Sequence, residues 1–215
     1  MGDVQSSTPG AGTTQPDQRP PISISHEVDP NGDLTLLVPK SCESDSNTYF
    51  WVSSKHLTLA SSYFNTMLKD CWTEGQALKD GTAEILVHDC KPQILLIVLN
   101  VIHGRQRQVP RRLLLNEMSA VAVTTDFFQC HEALEVMAGI WIEALKSTVP
   151  SSLGKDLKTW IMISSVFNRP HILKATTRIA MQWGTRPFDN DNLPIPKNIK
   201  GTFHNRPFET LSKVC

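Results

Sequence analysis

Strand signals gathered before residue 88, and helical signals alone after it, predict an α+β chain. Two observations carry this. Apolar residues alternate or run in short blocks at 22–28, 33–38, 49–52 and 83–87, with turn residues between them. From residue 92 onward the apolar residues fall at helical spacing instead. Length sets the frame: 215 residues with 40% apolar content hold one domain, or one domain and a small appendage.

The elements follow in order. Residues 1–21 are rich in Ser, Thr, Gln, Gly and Pro and read as a disordered tail, because they bury too little to offset their ordering entropy. Ile22, Ile24 and Val28 alternate with Ser23, Ser25 and Glu27 as a half-buried strand does. Asp29-Pro30-Asn31-Gly32 is turn chemistry, with Gly32 expected at positive φ. Asp33 to Val38 reads as a buried strand stopped by Pro39, 41–48 as a loop, and Tyr49 to Val52 as its partner strand. A helix follows, capped by Ser53 or Ser54, with Leu57, Ala60, Phe64 and Leu68 on one face and Met67 beside them. A polar loop at 73–82 leads to the strand 83–87. Asp89 is the expected cap and Pro92 the first turn of a buried helix over 93–103, closed by Gly104. Arg105 to Pro110 is a loop, and helices are expected at 112–128 and 132–146, the second with Leu134, Met137, Trp141 and Leu145 in one stripe. Two more helical stretches occupy 155–183, split at Asn168-Arg169-Pro170. The first buries Leu157, Trp160, Ile161 and Phe167; the second buries Ile172, Ala175 and Ile179. Leu193-Pro194-Ile195-Pro196 then connects to a last amphipathic piece docked by Ile199, Phe203 and Leu211.

Charge and cysteine content exclude several classes. Lys plus Arg equal Asp plus Glu at 21 each, so no global field holds a polyanion and direct nucleic-acid binding is not expected. Arg105, Arg107, Arg111 and Arg112 form the one local basic cluster; without interleaved aromatics to stack bases it reads as a solvated loop or a contact for an acidic partner. Five scattered cysteines argue against a disulfide scaffold and for a reducing compartment, cytoplasm or nucleus. The most apolar run, 94–102, is about half the length of a bilayer crossing, and no secretory signal opens the chain, so no membrane role is expected.

No catalytic motif is present: no Gly-rich phosphate loop, no Gly-x-Ser-x-Gly, no His-Glu-x-x-His. His88-Asp89-Cys90 and Cys130-His131 are too tightly paired for zinc and sit beside apolar elements, so these cysteines read as structural. The seven histidines suggest no cluster. No enzyme activity, metal or cofactor is expected. Trp141 and Trp160 lie on helical stripes and read as core. Trp51 follows an inward Phe50 on a strand and points outward, to solvent or a partner chain.

The residues Asp33-Leu34-Thr35-Leu36-Leu37-Val38, then Phe50-Trp51-Val52-Ser53-Ser54, then Leu57, Ser61, Phe64 and Met67, resemble the start of a BTB/POZ domain. The strand 83–87, the helix 93–103 and Asp126-Phe127-Phe128 extend the match, and GDLTLLV…FWVSSKHLTLASSYFNTML resembles in particular the short BTB proteins of filamentous fungi. The resemblance spans roughly 28–212, with Leu-Pro-Ile-Pro and Arg206 in its tail.

It implies a small β-sheet with a cluster of about five helices, followed by a short helical extension. The division expected is a tail at 1–21, the domain at 22–146 and the extension at 147–215. It also implies a non-catalytic protein–protein interaction module that self-associates as a dimer. Two alternatives stay open: a substrate adaptor that binds a cullin of a ubiquitin ligase, and a corepressor-recruiting regulator without its own DNA-binding domain. In corepressor-binding relatives a Lys or Arg after the second strand shares a charged interface pocket with the strand Asp; here Asp33 is present but the pair is Ser53-Ser54. No helix precedes Asp33 to serve as a swapped element. The interaction candidates are Asp33, Trp51, Ser54, Arg105 and Arg107.

Overall fold

The computed structural model describes residues 25–40, 46–81 and 83–183. Four strands form one mixed sheet: β1 (His26–Glu27), β2 (Leu34–Val38), β3 (Thr48–Val52) and β4 (Glu84–Leu86). Their spatial order is β1-β3-β2-β4. β2 and β3 run antiparallel, with Leu34 opposite Val52 and Leu36 opposite Phe50. β4 lies parallel to β2, placing Ile85 beside Leu36, and β1 lies parallel to β3. The pleat turns Leu34, Leu36, Phe50, Val52 and Ile85 to one face, where all five are buried.

Among the described residues, eight α-helices follow or interleave: α1 (Ser54–Ala60), α2 (Ser62–Met67), α3 (Thr73–Lys79), α4 (Pro92–Ile102), α5 (Leu115–Phe128), α6 (His131–Ala144), α7 (Leu157–Val166) and α8 (Pro170–Trp183). The α+β architecture expected from the sequence is the one observed. A single apolar cluster runs from Val28 to Ala180, and Trp141, Trp160, Phe50 and Phe64 are its largest fully buried side chains.

Several local expectations are corrected. The helix expected after β3 is two helices, broken at Ser61, whose backbone is extended. The Ser61 hydroxyl accepts the Phe64 N–H and donates to the Phe128 carbonyl, which ties the break to the end of α5. Ser53 makes no hydroxyl cap for α1. The polar stretch at 73–82 is not wholly loop, since α3 occupies most of it. Asp89 does not cap α4; it holds a left-handed φ of 54°, and Lys91 takes the N-cap position. α5 begins at Leu115 rather than 112, where the Glu117 carboxylate accepts the Leu114 N–H at 2.7 Å. On α8, Ala175 is exposed, and Thr176 and Ala180 are the buried positions. In the 22–28 segment the strand comprises His26–Glu27, and Ile22 and Ile24 lie outside the described residues, as do the tail 1–21, the 193–196 connector, Ile199, Phe203 and Leu211.

Three helices end alike. α4, α5 and α7 each place one residue in the left-handed region: Gly104 at φ 69°, Gln129 at 53° and Asn168 at 48°. Behind each, two N–H groups fold back onto the last turn: Arg105 to Asn100 and Gly104 to Val101; Cys130 to Thr125 and Gln129 to Asp126; Arg169 to Ser164 and Asn168 to Ser165. This is the Schellman pattern, which satisfies carbonyls that the helix itself leaves free.

Candidate functional site

The sequence-predicted residues converge on one end of the sheet, where β2, β3 and α1 meet the end of α4. Asp33 opens β2, and its two carboxylate oxygens accept the Ser54 N–H and the Ser54 hydroxyl, each at 2.7 Å. A carboxylate thus caps the first turn of α1 from a neighbouring strand, where the free N–H groups favour negative charge. The next N–H back, that of Ser53, goes to the His103 imidazole Nε2 at 3.1 Å. His103 in turn donates from Nδ1 to the Leu99 carbonyl at 2.8 Å. Both ring nitrogens are used by the neutral ring in one tautomer, and burial holds the imidazole below its ordinary range.

His56, one turn into α1, stands beside this ring, with centroids 5.0 Å apart. Its Nδ1 lies 3.7 Å from an Asp29 carboxylate oxygen. Asp29, His56 and His103 form a group whose candidate metal-ligating atoms lie within 4.8 Å of one another. The sequence hides this group, because the three residues belong to three segments and follow no local spacing.

Arg105 is not a free surface cation. Its guanidinium donates to the Glu27 and Val28 carbonyls at 2.7 and 2.8 Å and pins β1 to the loop after α4. Arg107, Arg111 and Arg112 are exposed. Trp51 is half-buried on the outer side of β3, between Glu27 and Thr35 of the neighbouring strands. Gly32 is not at positive φ. It is needed for room: a β-carbon there would stand 2.8 Å from the Trp51 indole nitrogen and 2.8 Å from the Val52 carbonyl. The structure therefore brings Asp33 and Ser54 into contact, places Trp51 and Arg105 around the same junction, and leaves Arg107 on the loop beyond.

A second feature was not anticipated. Phe127, near the end of α5, is 56% exposed, and Trp72, before α3, is 53% exposed. Tyr63 of α2 packs on Phe127 with centroids 5.3 Å apart. Tyr63, Met67 and Trp72 line an open groove of about 460 Å³, with Ser62, Thr66 and Gln129 at its rim. In sequence, Trp72 sits among polar residues, and the turn between α2 and α3, closed by the Trp72 N–H on the Lys69 carbonyl, brings it to the surface that carries Tyr63.

Among the described residues, Cys90 and Cys130 are not activated nucleophiles. Cys130 is fully buried, and desolvation pushes its pKa up to about 12. Burial also raises the Cys90 thiol, whose sulfur lies 3.6 Å from the Thr124 hydroxyl. No helix among the described residues is long and apolar enough to cross a membrane.

No curated protein matches the chain. The family model of the BTB/POZ domain matches residues 31–143, from the turn before β2 to the last turn of α6. That match covers a little over half of the sequence and both features just described, apart from Glu27, Val28 and Asp29 at the edge of the first. With its mixed sheet, its helical cluster and this match, the chain belongs to the BTB/POZ domain family, a family of protein–protein interaction modules that are generally non-catalytic.

Proposed function

We propose that this chain is a non-catalytic scaffold that self-associates as a dimer and presents a separate apolar groove to a second protein. The observation that carries the reading is the groove at the α2–α3 junction, where Trp72 exposes aromatic surface that solvation alone does not favour and Phe127 adds more beside it, against Tyr63. Around the Asp33 junction, Trp51 and Arg107 are the partner contacts in this proposal, while Asp33, Ser54 and Arg105 hold the surface in shape. The folded unit is taken as the domain at 22–146 with the extension at 147–215, whose helix α7 covers α5. Sedimentation of the full chain tests the first part: a concentration-dependent species of twice the chain mass is expected, and a monomer at all concentrations overturns it.

A cullin adaptor is the second reading, favoured by the position of the groove between the loop before α3 and the end of α5. Under it, a purified cullin N-terminal domain binds the full chain, and Phe127→Ser weakens that binding while leaving the far-UV spectrum unchanged. No binding by the unsubstituted chain removes the adaptor reading. The corepressor reading has no comparable support, since both Asp33 carboxylate oxygens are engaged by Ser54. Nucleic acid has no part in the proposal, and a reducing cytoplasmic or nuclear setting suits the free Cys71, Cys90 and Cys130.

A further inference from the structure

We propose that Asp29, His56 and His103 form a binding site for a divalent transition-metal cation of the zinc class. The three ligands come from three places: the turn after β1, the first half of α1 and the end of α4. Their candidate ligand atoms already lie within 4.8 Å of one another. A tetrahedral zinc site needs about 3.3 Å between ligands, as follows from bonds of about 2.0–2.2 Å. Closing that difference asks for side-chain movement, for which His56, 48% exposed, has room.

Two of the ligands are oriented by bonds on their far side. His103 donates Nδ1–H to the Leu99 carbonyl, so its Nε2 is the nitrogen that carries a lone pair. Asp29 accepts the Asn31 N–H on one oxygen at 2.9 Å, which leaves the other oxygen turned to His56. A backbone carbonyl behind a histidine is the outer-shell arrangement that fixes metal-ligating imidazoles. The His56 to Asp29 separation of 3.7 Å is too long for a hydrogen bond, so neither atom is committed to the other. Without metal, the Ser53 N–H occupies the Nε2 lone pair at 3.1 Å. The cation replaces that N–H, and water completes the fourth position. Two imidazoles and one carboxylate favour zinc, cobalt or nickel over magnesium or calcium, which prefer oxygen.

Binding also has a structural address. The displaced Ser53 N–H belongs to the residue before α1, next to the Asp33–Ser54 pair. Metal occupancy therefore acts at the junction that carries Trp51 and Arg105, whether or not that junction serves self-association.

The test is calorimetric titration of the full chain with zinc chloride, in a non-thiol reductant and above the pH range of histidine protonation. Long-range proton–nitrogen spectra of the imidazoles accompany it. One saturable site is expected, with the His103 Nε2 and His56 Nδ1 resonances moving together. His56→Ala and Asp29→Asn are each expected to weaken it at least about tenfold, while magnesium and calcium show no saturable binding. Should His56→Ala disturb the far-UV spectrum, His56→Asn serves in its place. Absence of saturable binding overturns the proposal. So does unchanged affinity in both variants, or loss of binding on replacing Cys71 with Ser while His56→Ala retains it.

Discussion

Gly32 has no room for a β-carbon, because the Trp51 indole and the Val52 and Asp29 carbonyls crowd its α-carbon. Gly32→Ala should cost about 1–3 kcal/mol, the range for overpacking a tight contact, with urea unfolding as the readout. The sequence marked this glycine correctly but for the wrong reason: turn composition suggests positive φ, whereas close approach by a distant strand is invisible until the strands pair. Asp33 and Ser54 were legible as candidates, yet their mutual bond was not, since the pairing depends on the β2–β3 register. Ser54→Ala removes one donor to a carboxylate that keeps its backbone N–H partner, and should cost about 1 kcal/mol in the same urea assay. Cys130 gives a chemical test. At mildly alkaline pH, Cys71 should alkylate in the native protein and Cys130 only after unfolding, as peptide mass mapping would show. The linkage has a definite sign. The native thiol, at about 12, lies above its ordinary 9.0, so the unfolded chain ionises first. This residue's contribution is complete below about pH 9 and is lost as pH climbs from 9 towards 12.

Among the elements, helix ends divide into those the sequence announces and those it hides. Gly104 and Asn168 belong to the residue types that accept left-handed backbone, and the ends of α4 and α7 were read from them. Gln129 performs the same task at the end of α5 without that signature. Gln129→Gly should therefore stabilise the protein by about 0.5–1 kcal/mol, seen as a higher urea midpoint at unchanged slope. The Ser61 break was hidden for a different reason. Leu57, Phe64 and Leu68 keep helical spacing across it, and the local pattern contains no proline or glycine to interrupt it. What decides is tertiary: the Phe128 carbonyl accepts from the Ser61 hydroxyl, which in turn caps α2. Ser61→Ala removes both bonds at a buried site and should cost about 1–2 kcal/mol. α3 carries no clear signal because its seven residues include Gly75 and four polar or charged side chains that favour no single face. Its own fixtures are exposed, chiefly the Lys79–Asp70 pair at 2.8 Å, which contributes little in water.

At the scale of the molecule, α7 is the element that completes the interior. Leu157, Trp160, Ile161, Met162 and Ile163 are all buried, and α7 packs against α5 and α8. The apolar stripe of Leu157, Trp160, Ile161 and Phe167 is plain in the sequence, whereas its seat on α5 depends on contacts between distant segments and is not. A chain cut after residue 146 leaves the α5 face without that cover and should aggregate or lose near-UV signal, whereas a soluble, well-folded product would show that the extension is dispensable. Trp160→Ala should cost about 3–5 kcal/mol, as large buried aromatics do. The single apolar cluster also predicts coincident near-UV and far-UV unfolding transitions in the unsubstituted protein. The position of α7 carries a further consequence for biosynthesis. The matched family region ends at 143, but the surface that α7 covers belongs to α5, at 115–128. On a ribosome adding about 5–20 residues per second, that surface emerges before its cover does and stays bare for seconds. A holding chaperone added to a translation reaction should therefore raise the yield of soluble full chain, and slow codons placed between 129 and 157 should lower it.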